Sequence, residues 1–247
     1  MSNTPAASSD HGQVVPNLPS ETEPLLGRAG AVRQLDDAPF WKNLFLGTGF
    51  LAQIGLLILT LTVWCSIFSL PLGLFTFHPL FNSLGVLLVF EAILLLQPTH
   101  TSSQKVNGAI THSILTGLSL LLLVGAGVTI VLNKIRIKHA HFDSTHAILG
   151  LVVYILVLAQ TIVGFAQFYA PHVFGSVENA KAIYKYHRIA GYTIQLLLVA
   201  TLLAASRTTF ALGPLDFKTW KVAIGSSLVV LGVFPRIKKE KLGFKRQ

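Results

Sequence analysis

The order of apolar and polar residues along the chain predicts a membrane protein built from helices. Five apolar runs stand between short polar stretches, at about residues 45–68, 76–97, 109–132, 146–168 and 186–205. A helix needs about 20 apolar residues to cross the hydrocarbon core of a bilayer. A sixth and weaker run covers about 218–234, where Lys218 and Lys221 can extend to the interface beside Trp220. We therefore predict an all-α fold with six transmembrane helices.

Composition supports this class and narrows the chemistry. The 247 residues are 52% hydrophobic and 12% charged, whereas a soluble domain carries about 25% charged residues. Cys65 is the only cysteine and Met1 the only methionine. Blue copper, iron–sulfur clusters and haem attached through Cys-x-x-Cys-His are therefore excluded, and a bound transition metal would depend on histidine.

The two ends of the chain differ from the apolar region. Residues 1–44 are rich in Ser, Pro, Thr, Ala and acidic residues and predict a disordered cytosolic tail. Within it, the segment Glu21–Leu26 (ETEPLL) is similar to acidic dileucine signals that direct proteins to endosomes, lysosomes or vacuoles, although so short a match also arises by chance. Residues 45–235 form the predicted membrane domain, and residues 236–247 a basic cytosolic tail.

The basic residues predict that both ends of the chain are cytosolic. Twelve Lys and Arg lie in the two tails and in the segments 98–108 and 169–185, which share one side of the membrane. Five lie on the other side, in the segments 133–145 and 206–219. Cytosolic loops carry the excess of positive charge. Because topology explains the net charge of +9, we predict no nucleic-acid partner.

Four of the nine histidines lie near the start of a predicted span: His78, His112, His146 and His187. Consecutive spans run in opposite directions, so His78 and His146 share the outer level, and His112 and His187 the inner level. Two imidazoles at one depth can fill both axial positions of a haem b, which then transfers electrons and does not activate oxygen. One such histidine alone is more simply an interfacial polar residue, but two matched pairs favour ligation.

Glycines near these histidines could make room for a flat macrocycle. Gly150 and Gly191 each follow one of the four histidines by four residues, and residues four apart share a helix face. Gly117, five residues after His112, would serve more loosely. The alternative is that these glycines only allow close helix packing.

Four short motifs carry a resemblance to a known family. They are Phe77-His78-Pro79-Leu80, Lys105 with His112, the run from His146 to Gly164-Phe165 with Gln160, and Tyr186-His187 with Gly191. They are similar to motifs of the cytochrome b561 family of transmembrane electron-transfer proteins, and the resemblance covers about residues 45–235. The short loops look most like the small stand-alone members.

The resemblance implies six spans, with the second to fifth forming a four-helix core around two haems b. It also implies an ascorbate-dependent reductase that passes electrons from cytosolic ascorbate to monodehydroascorbate or a ferric chelate across the membrane. Ascorbate is an anion, so a basic surface beside the inner pair is expected. We predict Lys105, Lys185 and Arg188 there; Lys105 matches a family position associated with ascorbate binding. Ordinary cytosolic charge is the alternative.

The outer loop at 133–145 carries basic residues against the topology rule, which favours binding of the acceptor. The candidates are Lys134, Arg136, Lys138 and His141, and a solvated basic loop is the simpler alternative. Glu91 is the one acid deep in a core span. A buried carboxyl group is costly unless it is protonated or hydrogen-bonded, and a role for Glu91 in proton movement is a hypothesis.

Two other function classes remain open. One is a haem-binding membrane anchor for a partner reductase, and the other is a metal or proton transporter whose histidines line the path. Transporters often have broken helices near the midplane, whereas these histidines lie near the two faces and the runs are uninterrupted. The sequence leaves a homodimer open, and it predicts a multi-pass protein of the vacuolar, lysosomal or endosomal membrane.

Overall fold

The computed structural model describes residues 30–36 and 38–243, and the regular secondary structure in these ranges is helical. The α-helices are α1 (Gly49–Phe68), α2 (Phe77–Leu96), α3 (Ser102–Arg136), α4 (Thr145–Tyr169), α5 (Val177–Ala205), α6 (Thr209–Leu212) and α7 (Thr219–Val233). Short 3-10 helices lie at Phe40–Leu44, Leu74–Thr76, Pro171–Phe174, Phe234–Arg236 and Lys239–Leu242.

Five helical segments in these ranges are long and apolar enough to cross a membrane. They are Gly49–Phe68, Leu74–Leu96, Ser102–Arg136, Thr145–Tyr169 and Val177–Ala205. At most 33% of any of these spans is buried within the protein, so their apolar side chains face lipid. The chain is therefore an integral membrane protein. Helix α7 has 15 residues, fewer than the about 20 that a span needs, so the sixth span stays a prediction.

Helices α3 and α5 begin earlier than the apolar runs that predicted them. They start at Ser102 and Val177 rather than at about 109 and 186. Side-chain oxygens of Thr101 and Ser176 cap the first turns, which allows polar residues to enter the helix. The inner histidines therefore lie inside these helices rather than at their starts, and the predicted cations Lys105 and Lys185 lie on helices rather than in loops.

A four-helix core forms from α2, α3, α4 and α5. Its centre is a cluster that we call the central apolar layer: Val89, Leu123, Val153, Val157, Ile194 and Leu198. On each helix these residues lie between the level of the outer histidines and the level of the inner ones. Burial of these six apolar side chains stabilises the packing of the four helices through the hydrophobic effect.

Helices α1 and α7 pair with each other outside this core, and α1 also packs against α2 and α7 against α5. Glycine allows their close approach. A Cβ on Gly55 would lie 2.5 Å from the carbonyl oxygen of Gly225, and one on Gly232 would clash with the backbone nitrogen of Ala52. Side-chain rotation cannot relieve contact with a backbone atom, so these positions require glycine.

Both described ends of the chain pack onto the C-terminal end of α2. Asn43 and Arg236 are each 1% exposed. The Asn43 side chain donates to the carbonyl oxygen of Leu95 at 2.9 Å, and Nη2 of Arg236 donates to that of Leu94 at 2.9 Å. Pro98 has no N–H, so the Leu94 carbonyl lacks its usual helical donor, and Arg236 supplies one.

Part of each predicted tail is therefore folded. Residues 38–44 and 236–243 were assigned to the tails, but they include a 3-10 helix each and satisfy carbonyl groups that the helix end leaves open. The dileucine-like segment Glu21–Leu26 lies outside the described residues.

Candidate functional site

His78 on α2 and His146 on α4 meet at one end of the core, in agreement with the pairing from helix direction. Their ring centroids are 6.1 Å apart, and the ring planes meet at 79°. Nδ1 of His78 lies 3.0 Å from the carbonyl oxygen of Ala126, and Nδ1 of His146 lies 3.1 Å from that of Thr201. A carbonyl only accepts, so each Nδ1 carries the proton and each Nε2 carries a lone pair. Nδ2 of Asn82 lies 3.5 Å from Nε2 of His78. A metal-binding imidazole needs this tautomer.

The space around this outer pair suits a haem. Both rings line a cavity of about 1690 Å³, which is large beside common ligand sites of about 300–1,000 Å³. Tyr154 donates to Asn82 at 2.8 Å, and Asn82 donates to the carbonyl oxygen of His78 at 2.9 Å. The residues present therefore fit a haem with two histidine ligands.

His112 on α3 and His187 on α5 occupy the opposite end and interact electrostatically. Nδ1 of His112 lies 3.4 Å from the carbonyl oxygen of Ala92, which repeats the outer arrangement on other helices. Gln160 of α4 donates to the carbonyl oxygen of His187 at 2.6 Å. Nδ1 of His187 is shielded from solvent and has no hydrogen-bond partner among the described residues. A buried imidazole with an unused nitrogen is compatible with metal ligation.

The three glycines that the sequence singled out have different surroundings in the structure. An added Cβ on Gly150 would have its nearest neighbour 3.9 Å away, and one on Gly117 would meet nothing within 4 Å. Gly150 also lines the outer cavity. At Gly191, in contrast, the Cβ would lie 3.3 Å from Nε2 of Gln160. Gly191 therefore packs against α4, which was the alternative interpretation.

Gly164 gives the closest glycine contact to a candidate ligand, and sequence spacing did not identify it. A Cβ there would lie 2.7 Å from Cε1 of His187. We expect Gly164→Ala to displace this ring and to slow reduction of a haem held at this pair by about 10-fold, the size of effect seen when a ligand's supporting contact is lost. Stopped-flow absorbance measures the rate.

Gly73→Ala is the control for this variant, because an added Cβ at Gly73 meets nothing within 4 Å. An unchanged rate and an unchanged inner-haem spectrum in Gly164→Ala would mean that the His187 ring does not need this space.

Part of the positive charge of the predicted acceptor loop is neutralised by an acidic residue of the same loop. Nζ of Lys134 lies 2.9 Å from Oδ1 of Asp143, and this hydrogen bond lowers the pKa of the Asp143 carboxyl group. The polar side of the outer cavity includes Lys134, His139, His141, Asp143 and Arg207. Arg136 and Lys138 are exposed and do not line the cavity. From the sequence, Arg207 was only one of the basic residues that indicate the membrane topology. Its place beside the outer pair depends on how α5 and α6 fold.

Five cations, which we call the inner cation cluster, gather beside the inner histidines: Lys105, Lys185, Arg188, Lys238 and Lys241. The sequence predicted the first three, and the last two come from the C-terminal segment. Nη1 of Arg188 donates to the carbonyl oxygen of Lys241 at 2.9 Å. Lys105 acts electrostatically on both Lys238 and Lys241. The helix ends and the C-terminal segment thus create one positive surface.

Glu91 lies on the side of α2 that meets α1. Its Oε2 accepts a hydrogen bond from Nε2 of Gln53 at 2.8 Å. This bond satisfies the carboxyl group within the membrane domain, and the suggested role in proton movement stays a prediction.

These features define a helical membrane protein with paired histidines at both ends of a four-helix core. The family model for eukaryotic cytochrome b561 matches residues 77–211, which is more than half of the chain and contains α2 to α5 with all four histidines. The chain therefore belongs to the cytochrome b561 family, and it is a transmembrane haem b electron-transfer oxidoreductase. No curated protein matches the chain at a significant level.

Proposed function

We propose that this protein carries electrons across the membrane, from cytosolic ascorbate to monodehydroascorbate or a ferric chelate on the other side. The observation that carries the proposal is the meeting of His78 and His146 at 6.1 Å, with the Nδ1 atom of each ring directed at a backbone carbonyl. These two residues would hold one haem b, and His112 and His187 a second. A haem with two imidazole ligands exchanges one electron between its ferric and ferrous states and does not bind oxygen.

The chain's own groups prepare three of the four ligands. Backbone carbonyls of Ala92, Ala126 and Thr201 accept the Nδ1 protons, which fixes the rings and strengthens electron donation by the Nε2 atoms. Two histidines that meet, such as His78 and His146, would together hold one haem. A bare zinc-like ion would need about four ligands, which favours the reductase over a histidine-lined metal transporter.

The charge distribution supports a donor site at the inner end. Ascorbate is an anion, and the inner cation cluster would raise its local concentration near His112 and His187. At the outer end Lys134 and His141 line the cavity, while Arg136 and Lys138 add charge in the same loop, where an anionic acceptor would approach.

The membrane arrangement is part of the proposal. The excess of Lys and Arg near the chain ends favours a cytosolic location for both termini, and α7 would complete six spans. The dileucine-like segment Glu21–Leu26 favours a vacuolar, lysosomal or endosomal membrane.

An absorption spectrum of the purified protein tests the function. We expect b-type bands, about two haems per chain, and rapid reduction by ascorbate added to the cytosolic face. A colourless preparation from cells with ample haem would contradict the proposal. A haem-loaded protein that dithionite reduces and ascorbate does not would favour the membrane-anchor alternative.

A further inference from the structure

The C-terminal segment 237–243 packs beside α5 and the connection before α3, and it contributes Lys238 and Lys241 to the inner cation cluster. Its 3-10 helix, Lys239–Leu242, packs against α5. Arg188 donates to the carbonyl oxygen of Lys241, and Cδ of Lys185 lies 3.5 Å from the place where a Cβ on Gly243 would stand. The segment thus covers the same helix that carries His187.

The lysines of this segment fall into two groups. Nζ of Lys241 donates to the carbonyl oxygen of Thr99 at 3.2 Å, and Nζ of Lys238 lies 3.5 Å from that of Pro98. Both side chains are partly buried and turn towards the connection between α2 and α3. Lys239, one residue from Lys238, is exposed. Position in the fold, rather than charge alone, distinguishes the first two.

The two inward lysines sit among like charges. Burial, together with Lys238, Arg188 and Lys105, lowers the pKa of Lys241 to about 8. Burial is also the main cause that lowers the pKa of Lys238, and Glu240 opposes this shift. Cations held close together repel each other, and a bound anion relieves that repulsion.

We propose that the C-terminal segment is part of the donor site, where Lys238 and Lys241 bind a small organic anion together with the cations of α3 and α5. This inference rests on the proposed function and adds residues beyond the range 77–211 that the family match covers. One anion would then contact three elements: the start of α3, α5 and the C-terminal segment. Its binding would hold the segment against the helix ends.

The first test is the ascorbate concentration that gives half-maximal haem reduction in the purified holoprotein. Loss of one charged contact is worth about 10-fold in affinity. We therefore expect Lys241→Met to raise this concentration about 10-fold with little change in the maximal rate, and Lys241→Arg to restore most of it. Lys239→Met makes the same charge change in the same segment and is the matched control, which should behave as the wild type.

An uncharged hydroquinone donor distinguishes weaker binding of the ascorbate anion from damage to the haems, because its reduction of the haems does not depend on an anion site. It should reduce the wild type and Lys241→Met at the same rate. A half-maximal ascorbate concentration that is equal in Lys241→Met, Lys239→Met and the wild type would overturn the inference.

Lysine acylation, measured by mass spectrometry, detects binding of the anion independently of electron transfer. With ascorbate as the probe under anaerobic conditions, we expect Lys238 and Lys241 to be protected and Lys239 to react as before. Protection without haem reduction would overturn the donor role and keep the anion site. Reduction without protection would overturn the anion site in this segment and keep the donor role. If ascorbate neither protects the two lysines nor reduces the haem, both the anion site and the donor role would be overturned.

The pH dependence gives a second signature of Lys241. As the pH rises from 7 to 9, Lys241 loses its proton, and the half-maximal ascorbate concentration of the wild type should rise more than that of Lys241→Arg. The other charged groups that act on the two inward lysines are the same in both proteins: Arg33, Lys105, Arg188, Arg236 and Glu240. Parallel pH curves would contradict a role for the Lys241 charge.

Discussion

Replacing His187 with alanine is expected to leave about one haem per chain and to slow reduction by ascorbate by about 100-fold or more. Loss of a contact that only supports a ligand already costs about 10–100-fold, and this change removes the ligand itself. His112 would be left without its partner, whereas the outer pair lies on α2 and α4 and would still hold a haem. The haem-to-protein ratio and stopped-flow reduction measure the two effects.

His172→Ala is the matched control, because His172 is exposed in the 3-10 helix Pro171–Phe174 that precedes α5. It should keep two haems and a normal rate. Dithionite should still reduce the haem that remains in His187→Ala. Two haems per chain with normal ascorbate kinetics in His187→Ala would show that the inner pairing is wrong.

The second large effect is expected for Arg236→Met, in the stability of the fold. Nη2 of Arg236 donates to the carbonyl oxygens of Asn43 and Leu94 within the protein. The variant leaves both carbonyls buried without this donor, and an unsatisfied buried polar group costs about 1–3 kcal/mol. We expect the free energy of unfolding to fall by about 3 kcal/mol, measured as a lower thermal midpoint in detergent.

Arg236→Lys and Lys239→Met serve as comparisons. Lysine keeps a donor and should recover part of the stability, whereas Lys239 is exposed and its replacement should leave the midpoint unchanged. An Arg236→Met protein as stable as the wild type would contradict a net stabilising role of Arg236, whose buried Nε and Nη1 have no hydrogen-bond partner among the described residues.

The helices and the histidine pairs could be predicted because both depend on local features of the sequence. An apolar run of about 20 residues determines a span wherever it occurs in the chain. Once the spans alternate in direction, His78 can share a level only with His146 among the four histidines. No detailed packing is needed for either step.

Contacts between distant residues could not be predicted in the same way. Arg236 bonds to a carbonyl group 142 residues away, and its charge looks the same as any basic residue near a cytosolic tail. The space beside the His187 ring comes from Gly164 on another helix, whereas a rule for one helix face pointed to Gly191. The starts of α3 and α5 were also missed, because their first turns are polar and stabilised by caps.

The central apolar layer has an electrical consequence. Its Val, Leu and Ile side chains offer no group that can take up or release a proton. An electron that crosses this layer between two haems would therefore move net charge through the membrane. A full crossing is worth about 2.3 kcal/mol per 100 mV. A membrane potential that is negative on the cytosolic side would drive electrons outward, and its collapse would slow them.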